Sequence, residues 1–460
     1  MRGLLGHAGY IPYRRLDRST IAAVAGSGGG KGTRSVASYD EDTTTMGVEA
    51  GRLALRAVRP DSRFEPVWLS FSTTAPVYAD KANATAIHAA LRLSPDVIAA
   101  DAAGSARSAV AALRTALVAP EPAIVVAADI RTGLPGSADE AAGGDAGSAI
   151  LVGDEADGPV VAEYLGAGSA TEEFLDRWRT PGQSHSKVWE ERFGEQRYTV
   201  LGEQAWVAAL KRSGLAPDDV SHVIVAGAHG RAVTGVVKRL GRPVAPDLTA
   251  SIGYTGAAHA GLALSAFLEG AEPERVIALV SLADGADVLL FRTTSALATY
   301  VPTRTVADQI QGGGPVAYGK FLAWRGVLPV EPPRRPEPAR VSASAASRRT
   351  DWKFGFVGSR SLVTGEITMP PSVVNSGEAV AMADHQGTVV TFTVDRLAYS
   401  PSPPVVFAVV DFDGGGRLPV ELTDVDADTV AIGDRVEMTF RRLSSADGIH
   451  NYFWKARPAR

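Results

Sequence analysis

The sequence predicts an α/β domain with helices over a mostly parallel sheet, followed by a small antiparallel β-barrel. From residue 1 to about 298, apolar strand-like runs alternate with alanine-rich helical segments, whereas only short strands follow residue 351. A chain of 460 residues is longer than a single domain with one hydrophobic core usually is, so two or three domains are expected. The expected segments are the α/β domain at 1–300, a tail and linker at 301–351, a turn-rich segment at 352–382 and the barrel at 383–460.

The strands of the first domain are predicted where apolar residues occupy both faces and β-branched residues recur, which is typical of buried parallel strands. These runs stand at 66–74, 123–129, 148–153, 222–230 and 275–285. Helical patterns stand between them at 82–91, 105–117 and 202–213.

The linker and barrel are predicted from composition and turn signals. Residues 327–351 combine prolines, arginines and small residues without periodicity, which indicates a semi-extended connection. Glycine-rich turns then separate short strands, and closing these strands into a barrel leaves few free edges. They stand at 387–399, 404–413, 417–425 and 434–443.

Composition excludes several classes of function. The chain has no cysteine, so disulfides, thiolate zinc sites and cysteine nucleophiles are excluded. The formal charge of −5, with nine acidic residues and three arginines between Thr388 and Phe440, opposes a nucleic-acid partner. No run of eighteen apolar residues predicts a membrane span, and the first residues do not form a signal peptide, so a cytoplasmic location is expected.

A glycine-rich stretch at 26–32 begins like a phosphate-binding loop but lacks its essential residues. Ala25 replaces the first glycine, and Gly32 stands where a magnesium-binding hydroxyl belongs. We therefore expect a surface loop. The acidic run at 40–42 leads into three threonines and a helical apolar pattern, which indicates the acidic start of a helix.

Several stretches, in this order, resemble the archaeal type of hydroxymethylglutaryl-CoA synthase. They are SVASYDEDTTTMGVEAGRLAL (35–55), GDAGSAILVG (144–153), DRWRT (176–180) and ERFGEQRYTVL (191–201). The resemblance covers nearly the first 300 residues and extends to 3-oxoacyl-carrier-protein synthase III. It implies a thiolase-like fold of two pseudo-repeated α/β halves.

The same resemblance implies a coenzyme A thioester as ligand. In that family the stretch before the DED segment is a surface loop near the mouth of the pantetheine tunnel. Lys31 and Arg34 could therefore meet the phosphates of coenzyme A as point charges. The alternative is that both are solvated residues on a mobile loop.

The family's chemistry needs a cysteine nucleophile, a histidine and an asparagine. Alignment on the residues AAL at 111–113 places Ala106 at the nucleophile position, and Tyr254 replaces the asparagine. His229 follows a buried strand as the family's histidine does, so it is the one catalytic position that survives.

The family's glutamate acid/base is also replaced, because the stretch 73–75 reads Thr-Thr-Ala. Ser105 could substitute for the lost nucleophile, although a helix-capping role explains a serine there more simply.

The C-terminal region resembles the zinc ribbon and OB-fold module that accompanies many acyl-CoA thiolases. Laid over the four-cysteine pattern of the ribbon, the sequence offers Ser361, Thr364, Asn375 and Glu378, while Gly365, Pro370 and Pro371 remain. Four thiolates at this spacing bind zinc, and these replacements cannot reproduce them, so no structural zinc is expected.

The resemblances favour a non-catalytic subunit that acts as acyl-CoA channel and scaffold for a separate catalytic thiolase or acyltransferase. The first alternative is an active enzyme that forms or cleaves carbon–carbon bonds of acyl-CoA with His229 and non-standard groups. The second is a free-standing acyl-CoA binder or sensor. In each case we expect no covalently bound cofactor, and a homodimer that pairs through the strand at 123–129.

Overall fold

The computed structural model describes residues 1–58, 63–372 and 377–460. Its strands are β1 (Arg2–Tyr10), β2 (Arg14–Asp17), β3 (Thr33–Val36), β4 (Trp68–Ser72), β5 (Ile98–Asp101), β6 (Ala123–Asp129), β7 (Ala146–Asp154), β8 (Ala162–Ala170), β9 (Arg177–Trp178), β10 (Lys187–Val188), β11 (Val220–Gly227), β12 (Val276–Leu282), β13 (Ala286–Thr293), β14 (Gly314–Pro315), β15 (Val357–Ser361), β16 (Ile367–Thr368), β17 (Gly377–Ala381), β18 (Gln386–Asp395), β19 (Val405–Phe412), β20 (Arg417–Leu422), β21 (Arg435–Ala446) and β22 (Ile449–Pro458). The α-helices are α1 (Ser19–Ala25), α2 (Thr43–Val58), α3 (Ala84–Ala90), α4 (Arg107–Val118), α5 (Ala138–Ala142), α6 (Glu191–Ser213), α7 (Gly230–Leu240), α8 (Thr249–Ile252), α9 (His259–Leu268), α10 (Val306–Gln311), α11 (Tyr318–Trp324), α12 (Ala343–Ser347) and α13 (Thr350–Lys353).

The described chain divides into two compact units. The first comprises Met1–Ala37, Glu49–Thr85 and Pro95–Tyr318. The second comprises Ser38–Val48, Ala86–Ser94 and Gly319–Arg460. Two short N-terminal segments therefore belong to the C-terminal unit, a division that the expected segments do not contain.

The described strands of the first unit form a nine-stranded sheet in the order β11-β12-β13-β8-β1-β7-β6-β4-β5. In its N-terminal half, β4 pairs in parallel with β5 and β6, and β7 lies antiparallel between β6 and β1. In its C-terminal half, β11 pairs in parallel with β12, and β13 lies antiparallel between β12 and β8. The two pseudo-repeated halves predicted from the sequence are confirmed, and they join where β1 pairs with β8.

The sheet is mixed, whereas the sequence predicted a mostly parallel one. The reason is visible at β12 and β13, which are joined by a turn of Ala283 to Gly285 that is too short for a crossover helix. Strand β8 was missed because glycines interrupt its apolar run. One of them is required by packing, since a Cβ at Gly168 would stand 2.1 Å from the carbonyl oxygen of Ala205 in α6.

The prediction that residues 123–129 pair across a dimer is wrong. This segment is β6, and both of its edges are already hydrogen-bonded, to β7 and to β4. The free edge on that side of the sheet is β5, which pairs only with β4 among the described strands. Its first residue, Ile98, keeps 69% of its surface exposed.

The core of the first unit lies on both faces of the sheet. On one face, Leu113 and Leu117 of α4 and Leu264 and Leu268 of α9 pack against the strands. Helices α6 and α7 pack against the C-terminal half of the sheet and form a second apolar cluster with it. Trp206 is the largest aromatic side chain of that cluster. None of the helices in the described ranges is both long and apolar enough to cross a membrane.

The second unit contains a closed barrel in the order β18-β19-β20-β22-β21, so the predicted barrel is confirmed. The sequence analysis missed its last strand, β22, whose residues IHNYFWKARP show no regular alternation of polar and apolar types. Phe356, Phe440 and Trp454 are fully buried in its core. Phe440 lies edge-on to Trp454, with ring centroids 5.4 Å apart.

The ribbon-like segment forms a small sheet in the order β16-β15-β17. At its turn, the hydroxyl oxygen of Ser361 accepts hydrogen bonds from the backbone amides of Val363 and Thr364 at 3.2 and 3.1 Å. Glu378 is exposed, and Asn375 lies outside the described residues. No cluster of three potential metal-ligating carboxylate or imidazole side chains occurs in the described part of the chain, and the expected lack of zinc stays a prediction.

A buried charge cluster holds the second unit together. Arg441 contacts the carboxylates of Asp40, Glu41 and Asp424 at 3.3, 2.9 and 2.8 Å, and all four side chains are almost completely buried. Lys455 contacts Asp40 at 3.0 Å. Burial alone would raise the pKa of Asp40, but Lys455 and Arg441 outweigh it and hold this pKa below its ordinary value. Burial, with the negative charges of Asp424 and Asp40, raises the pKa of Glu41 to about 7 against the opposing effect of Arg441.

The prediction that the acidic run starts a helix holds for Asp42, which accepts a hydrogen bond from the amide of Thr45 at 2.9 Å. Its second oxygen lies 2.8 Å from the hydroxyl of Tyr452 and 3.1 Å from His450. The other two acidic residues of the run serve the charge cluster instead.

We expect Asp40→Asn to destabilise the second unit by about 3–5 kcal/mol, because it leaves Lys455 and Arg441 buried with less negative charge around them. Urea unfolding followed by tryptophan fluorescence measures this loss. The matched control is Asp411→Asn, which weakens the exposed pair with Arg417. The control should leave the unfolding midpoint nearly unchanged, and equal midpoints for both variants would contradict the expectation.

Candidate functional site

The predicted nucleophile position, Ala106, stands directly before α4 at the end of the loop that leaves β5. Its backbone is already helical, with φ −61° and ψ −26°. The amide of Arg107 donates to the hydroxyl oxygen of Ser105 at 3.1 Å, so this serine caps the helix. The methyl group of Ala106 thus lies at the start of α4, where the positive end of the helix dipole would face a reactive side chain.

The turn between β12 and β13 closes over this helix start. The hydroxyl of Ser105 donates to the carboxylate of Asp284. Arg107 contacts the carboxylate of Asp287 at 2.7 Å and donates to the backbone carbonyl of Asp284 at 2.7 Å. The hydroxyl of Ser105 therefore has both a donor and an acceptor partner. No motif indicates Asp284, because it lies in a hairpin turn 179 residues from Ser105.

His229 caps α7, and backbone groups occupy both of its ring nitrogens. The amide of Ala232 donates to Nδ1 at 3.1 Å, and Nε2 lies 2.7 Å from the carbonyl oxygen of Glu191. Nδ1 must be the acceptor and Nε2 the donor, so the arrangement fixes the neutral tautomer. A ring with both nitrogens engaged has no free atom for a substrate in this conformation.

Tyr254 packs its ring against His259, with centroids 4.9 Å apart. Its backbone ties the loop in place, because its amide donates to Ala142 at 2.8 Å and its carbonyl accepts from Gly144 at 3.0 Å. Burial raises the pKa of its phenol to about 12. The residue is therefore a neutral hydrogen-bond donor at physiological pH.

Tyr198 of α6 lies beside His229. Its ring lies 6.4 Å from the ring of His229, and burial, with the negative charges of Asp176 and Asp284, raises its pKa. The phenol of Tyr254 raises it further. The structure thus brings Tyr198 next to His229 and the turn that contains Asp284 next to Ser105.

The segment predicted to replace the family's glutamate is hydrogen-bonded to a buried carboxylate. Asp129, at the end of β6, accepts hydrogen bonds from the hydroxyl of Thr73, the amide and hydroxyl of Thr74 and the amide of Ala257, all between 2.7 and 3.0 Å. A Cβ at Gly256 would stand 2.0 Å from this carboxylate. Through Asp129, Thr73 and Thr74 therefore hold the loop after β4 close to the loop that contains Ala257.

The two predicted coenzyme A contacts have different surroundings. Lys31 is exposed on the loop between α1 and β3. Arg34 is completely buried, where it contacts Asp145 at 3.4 Å and donates to the carbonyl of Arg131 at 2.8 Å. A phosphate cannot reach this guanidinium in the folded chain, so only the contact through Lys31 stays a prediction.

Known proteins resemble both parts of the chain. The chain is 31% identical over 297 residues to hydroxymethylglutaryl-CoA synthase of Pyrococcus furiosus, an alignment that covers 62% of this chain and 83% of that protein. It is 31% identical over 352 residues to the synthase of Methanothermobacter thermautotrophicus, covering 71% of this chain and 99% of the relative. The chain belongs to the hydroxymethylglutaryl-CoA synthase family.

The fold comparison agrees with this membership. A crystal structure of hydroxymethylglutaryl-CoA synthase complexed with CoA superposes with a TM-score of 0.59 at 18% identity, covering 70% of this chain and 89% of that one. The family model for the C-terminal OB-fold domain of ChsH2 matches residues 379–441, within the barrel unit. The chain is therefore a fusion of a thiolase-like domain with an OB-fold.

We expect His229→Ala to destabilise the protein by about 1 kcal/mol, because it removes the side-chain acceptor at the start of α7. The variant His229→Asn should retain most of the stability, since asparagine is a good helix cap. Thermal unfolding of the two variants and the unchanged protein measures this difference. Equal stability of the alanine variant and the unchanged protein would show that the cap contributes nothing.

Proposed function

We propose that this member of the hydroxymethylglutaryl-CoA synthase family is a non-catalytic subunit that forms an acyl-CoA channel and scaffold beside a catalytic thiolase or acyltransferase. The observation that carries the proposal is the methyl group of Ala106 at the start of α4. Acyl transfer in this family depends on a thioester at that point, and an alanine side chain cannot form one.

The surroundings of Ala106 support the same proposal. Ser105, the nearest alternative nucleophile, is engaged by the amide of Arg107 and by Asp284. His229 has both nitrogens bound to backbone groups. Groups that act together in catalysis lose activity together, so removing the nucleophile and its partners leaves little acceleration.

We propose a coenzyme A thioester as ligand. The support is family membership together with a structural neighbour that was crystallised with CoA. Lys31 is the proposed phosphate contact, since a lysine on an exposed loop can follow a phosphate as a point charge.

The proposed partners are a second copy of this chain and a separate catalytic thiolase. The support for the dimer is the free edge of β5 with the exposed side chain of Ile98. Such an edge presents unpaired backbone groups that a strand from a second copy can satisfy. The support for a separate thiolase is the retention of an acyl-CoA fold without its nucleophile.

An enzyme that uses non-standard groups remains the second candidate. The observation that favours it is the hydrogen bond from Ser105 to the carboxylate of Asp284, because a carboxylate that accepts from a serine can serve as its base.

The unchanged protein should show no mass increase after incubation with acetyl-CoA or acetoacetyl-CoA, measured by intact-mass spectrometry. The double variant Ala106→Cys with Tyr254→Asn should acquire slow acylation, because it restores a thiol nucleophile and the polarising amide. The single variant Ala106→Cys is the control and should remain unmodified where Tyr254 crowds the thioester. Partner-independent acyl transfer by the unchanged protein, abolished by Ser105→Ala or His229→Ala, would establish the enzyme instead.

Light scattering should report twice the chain mass of 48.0 kDa at micromolar concentration. The variant Ile98→Arg should shift the protein to a monomer, because it puts a charge on the edge that pairs. Val24→Arg is the matched control, since Val24 and Ile98 are both 69% exposed. A monomeric unchanged protein, or a dimer that survives Ile98→Arg, would rule out pairing through β5.

A further inference from the structure

The linker between α11 and α12 carries a charge opposite to that of the barrel. Residues 332–349 contain five arginines and one glutamate, whereas the stretch from Thr388 to Phe440 contains nine acidic residues and three arginines. Residues 325–342, all of which the structure describes, form no helix or strand. The four prolines between 332 and 338 favour an extended backbone. The linker therefore has the charge and the shape to lie along the barrel surface.

Three side-chain contacts hold this linker against the barrel within the second unit. They join Arg335 to Asp395 at 3.4 Å, Glu337 to Tyr399 at 2.8 Å and Arg340 to Asp447 at 3.7 Å. We call residues 334–340, which make these contacts, the strap. Two arginines of the strap thus face two carboxylates of the barrel, and the glutamate between them accepts a hydrogen bond from a phenol.

The strap bridges two loops of the barrel. In an OB-fold, the loop between the first and second strands and the loop between the fourth and fifth strands flank the face that binds oligonucleotides or oligosaccharides. Here the first loop follows Asp395, the last residue of β18, and contains Tyr399. The second loop is the turn between β21 and β22, which contains Asp447. The strap therefore contacts both of the loops that take part in ligand binding in this fold.

The two loop carboxylates face the strap from turns that do not need their charge. One oxygen of Asp395 accepts from two amides of its own loop at 2.8 and 3.0 Å, and the other oxygen faces Arg335. Asp447 adopts the left-handed conformation with φ 52°. Asparagine suits both positions, because its side-chain oxygen can accept the same amides and it tolerates the left-handed conformation. Both negative charges are therefore available for the arginines.

We propose that these two loops form a docking surface for an extended peptide that carries arginines, and that the strap occupies this surface in cis. The two carboxylates recognise two arginines five residues apart, and Tyr399 recognises an acidic residue between them. Nucleic acid does not fit, because its phosphates would meet Asp395 and Asp447. The surface lies in the second unit, and the proposal does not use the acyl-CoA role proposed for the chain.

The contacts are weak enough for the strap to be released. Arg335 and Asp395 keep 57% and 32% of their side chains exposed, and Arg340 and Asp447 keep 61% and 73%. Exposed ion pairs contribute little each, and salt screens them. The covalent connection favours docking nevertheless, because a tethered segment meets its site at a millimolar effective concentration. Docked and released straps therefore exchange, and the released state leaves the surface open to a peptide with the same pattern.

A spin label on the strap measures this exchange. The chain has no cysteine, so Ala339→Cys provides a single thiol, at an exposed position of the strap, for a nitroxide. Electron paramagnetic resonance separates a slow, docked label from a mobile, released one. The labelled protein should show mainly the slow component. Adding Asp395→Asn with Asp447→Asn should lower the ratio of docked to released strap about 10-fold, because both ion pairs are lost.

The matched control is Asp411→Asn, which removes one carboxylate of the same barrel from an exposed pair with Arg417 and should leave the ratio unchanged. Tyr399→Phe removes only the hydrogen bond to Glu337 and should lower the ratio about 3-fold, which gives a second reading without any change of charge. Added salt should release the strap of the unchanged barrel and have little effect on the double asparagine variant. All these variants should unfold at the temperature of the unchanged protein.

A fluorescent peptide of residues 331–342 tests the chemistry of the partner. Its affinity, measured by fluorescence anisotropy, should be at least about 10-fold higher for the chain variant Arg335→Gln with Arg340→Gln than for the unchanged protein, because the tethered strap of that variant no longer competes. A peptide with the same two arginines replaced by glutamine should not bind either protein.

A label that is mobile in the unchanged background would overturn the docking, as would a slow component that survives Asp395→Asn with Asp447→Asn. Equal peptide affinity of the unchanged protein and the arginine variant would show that the strap does not occupy the surface. A single-stranded oligonucleotide that binds the arginine variant when the peptide does not would assign the face to nucleic acid and refute the proposal.

Discussion

The contact between Asp40 and the cations Arg441 and Lys455 is the constraint on which the second unit depends. Burying these charges costs more than their hydrophobic neighbours could offset, so each charge must find its opposite. Asp40 and Arg441 are 401 residues apart in the sequence. The segment Ser38–Val48 and the last two strands of the barrel therefore supply each other with the partners of their buried charges.

Buried carboxylates play the corresponding part in the first unit. Asp145 accepts from the amides of Ala37 and Arg131 at 2.7 and 2.9 Å and contacts Arg34. The carboxylate of Asp129 accepts four hydrogen bonds from groups on two loops. Neither residue needs a reactive neighbour for this role. These carboxylates therefore hold the loops around Tyr254 without any contribution from the predicted catalytic positions.

The sequence predicts those features that a local pattern encodes. Strand β6 is recognisable because the first six of its seven residues are apolar. Strand β5 is not, since it has four residues, of which Ile98 faces outward. Candidate functional residues are likewise predictable only where a local sequence motif marks them. Ala106 and Tyr254 follow from motif alignment, whereas the bond of Ser105 to Asp284 depends on a hairpin that only tertiary packing brings near.

The burial of Arg34 shows why charge in a sequence cannot be assigned to a ligand without its surroundings. Arg34 and Lys31 are three residues apart, yet one is completely buried and the other is exposed. Their difference follows from β3, which carries Arg34 into the core beside Asp145, while the glycines before it keep Lys31 on a loop. Arg131 and Arg179 have a third kind of surroundings, because Arg131 is buried and Arg179 half-buried and both donate to oxygens of Thr74.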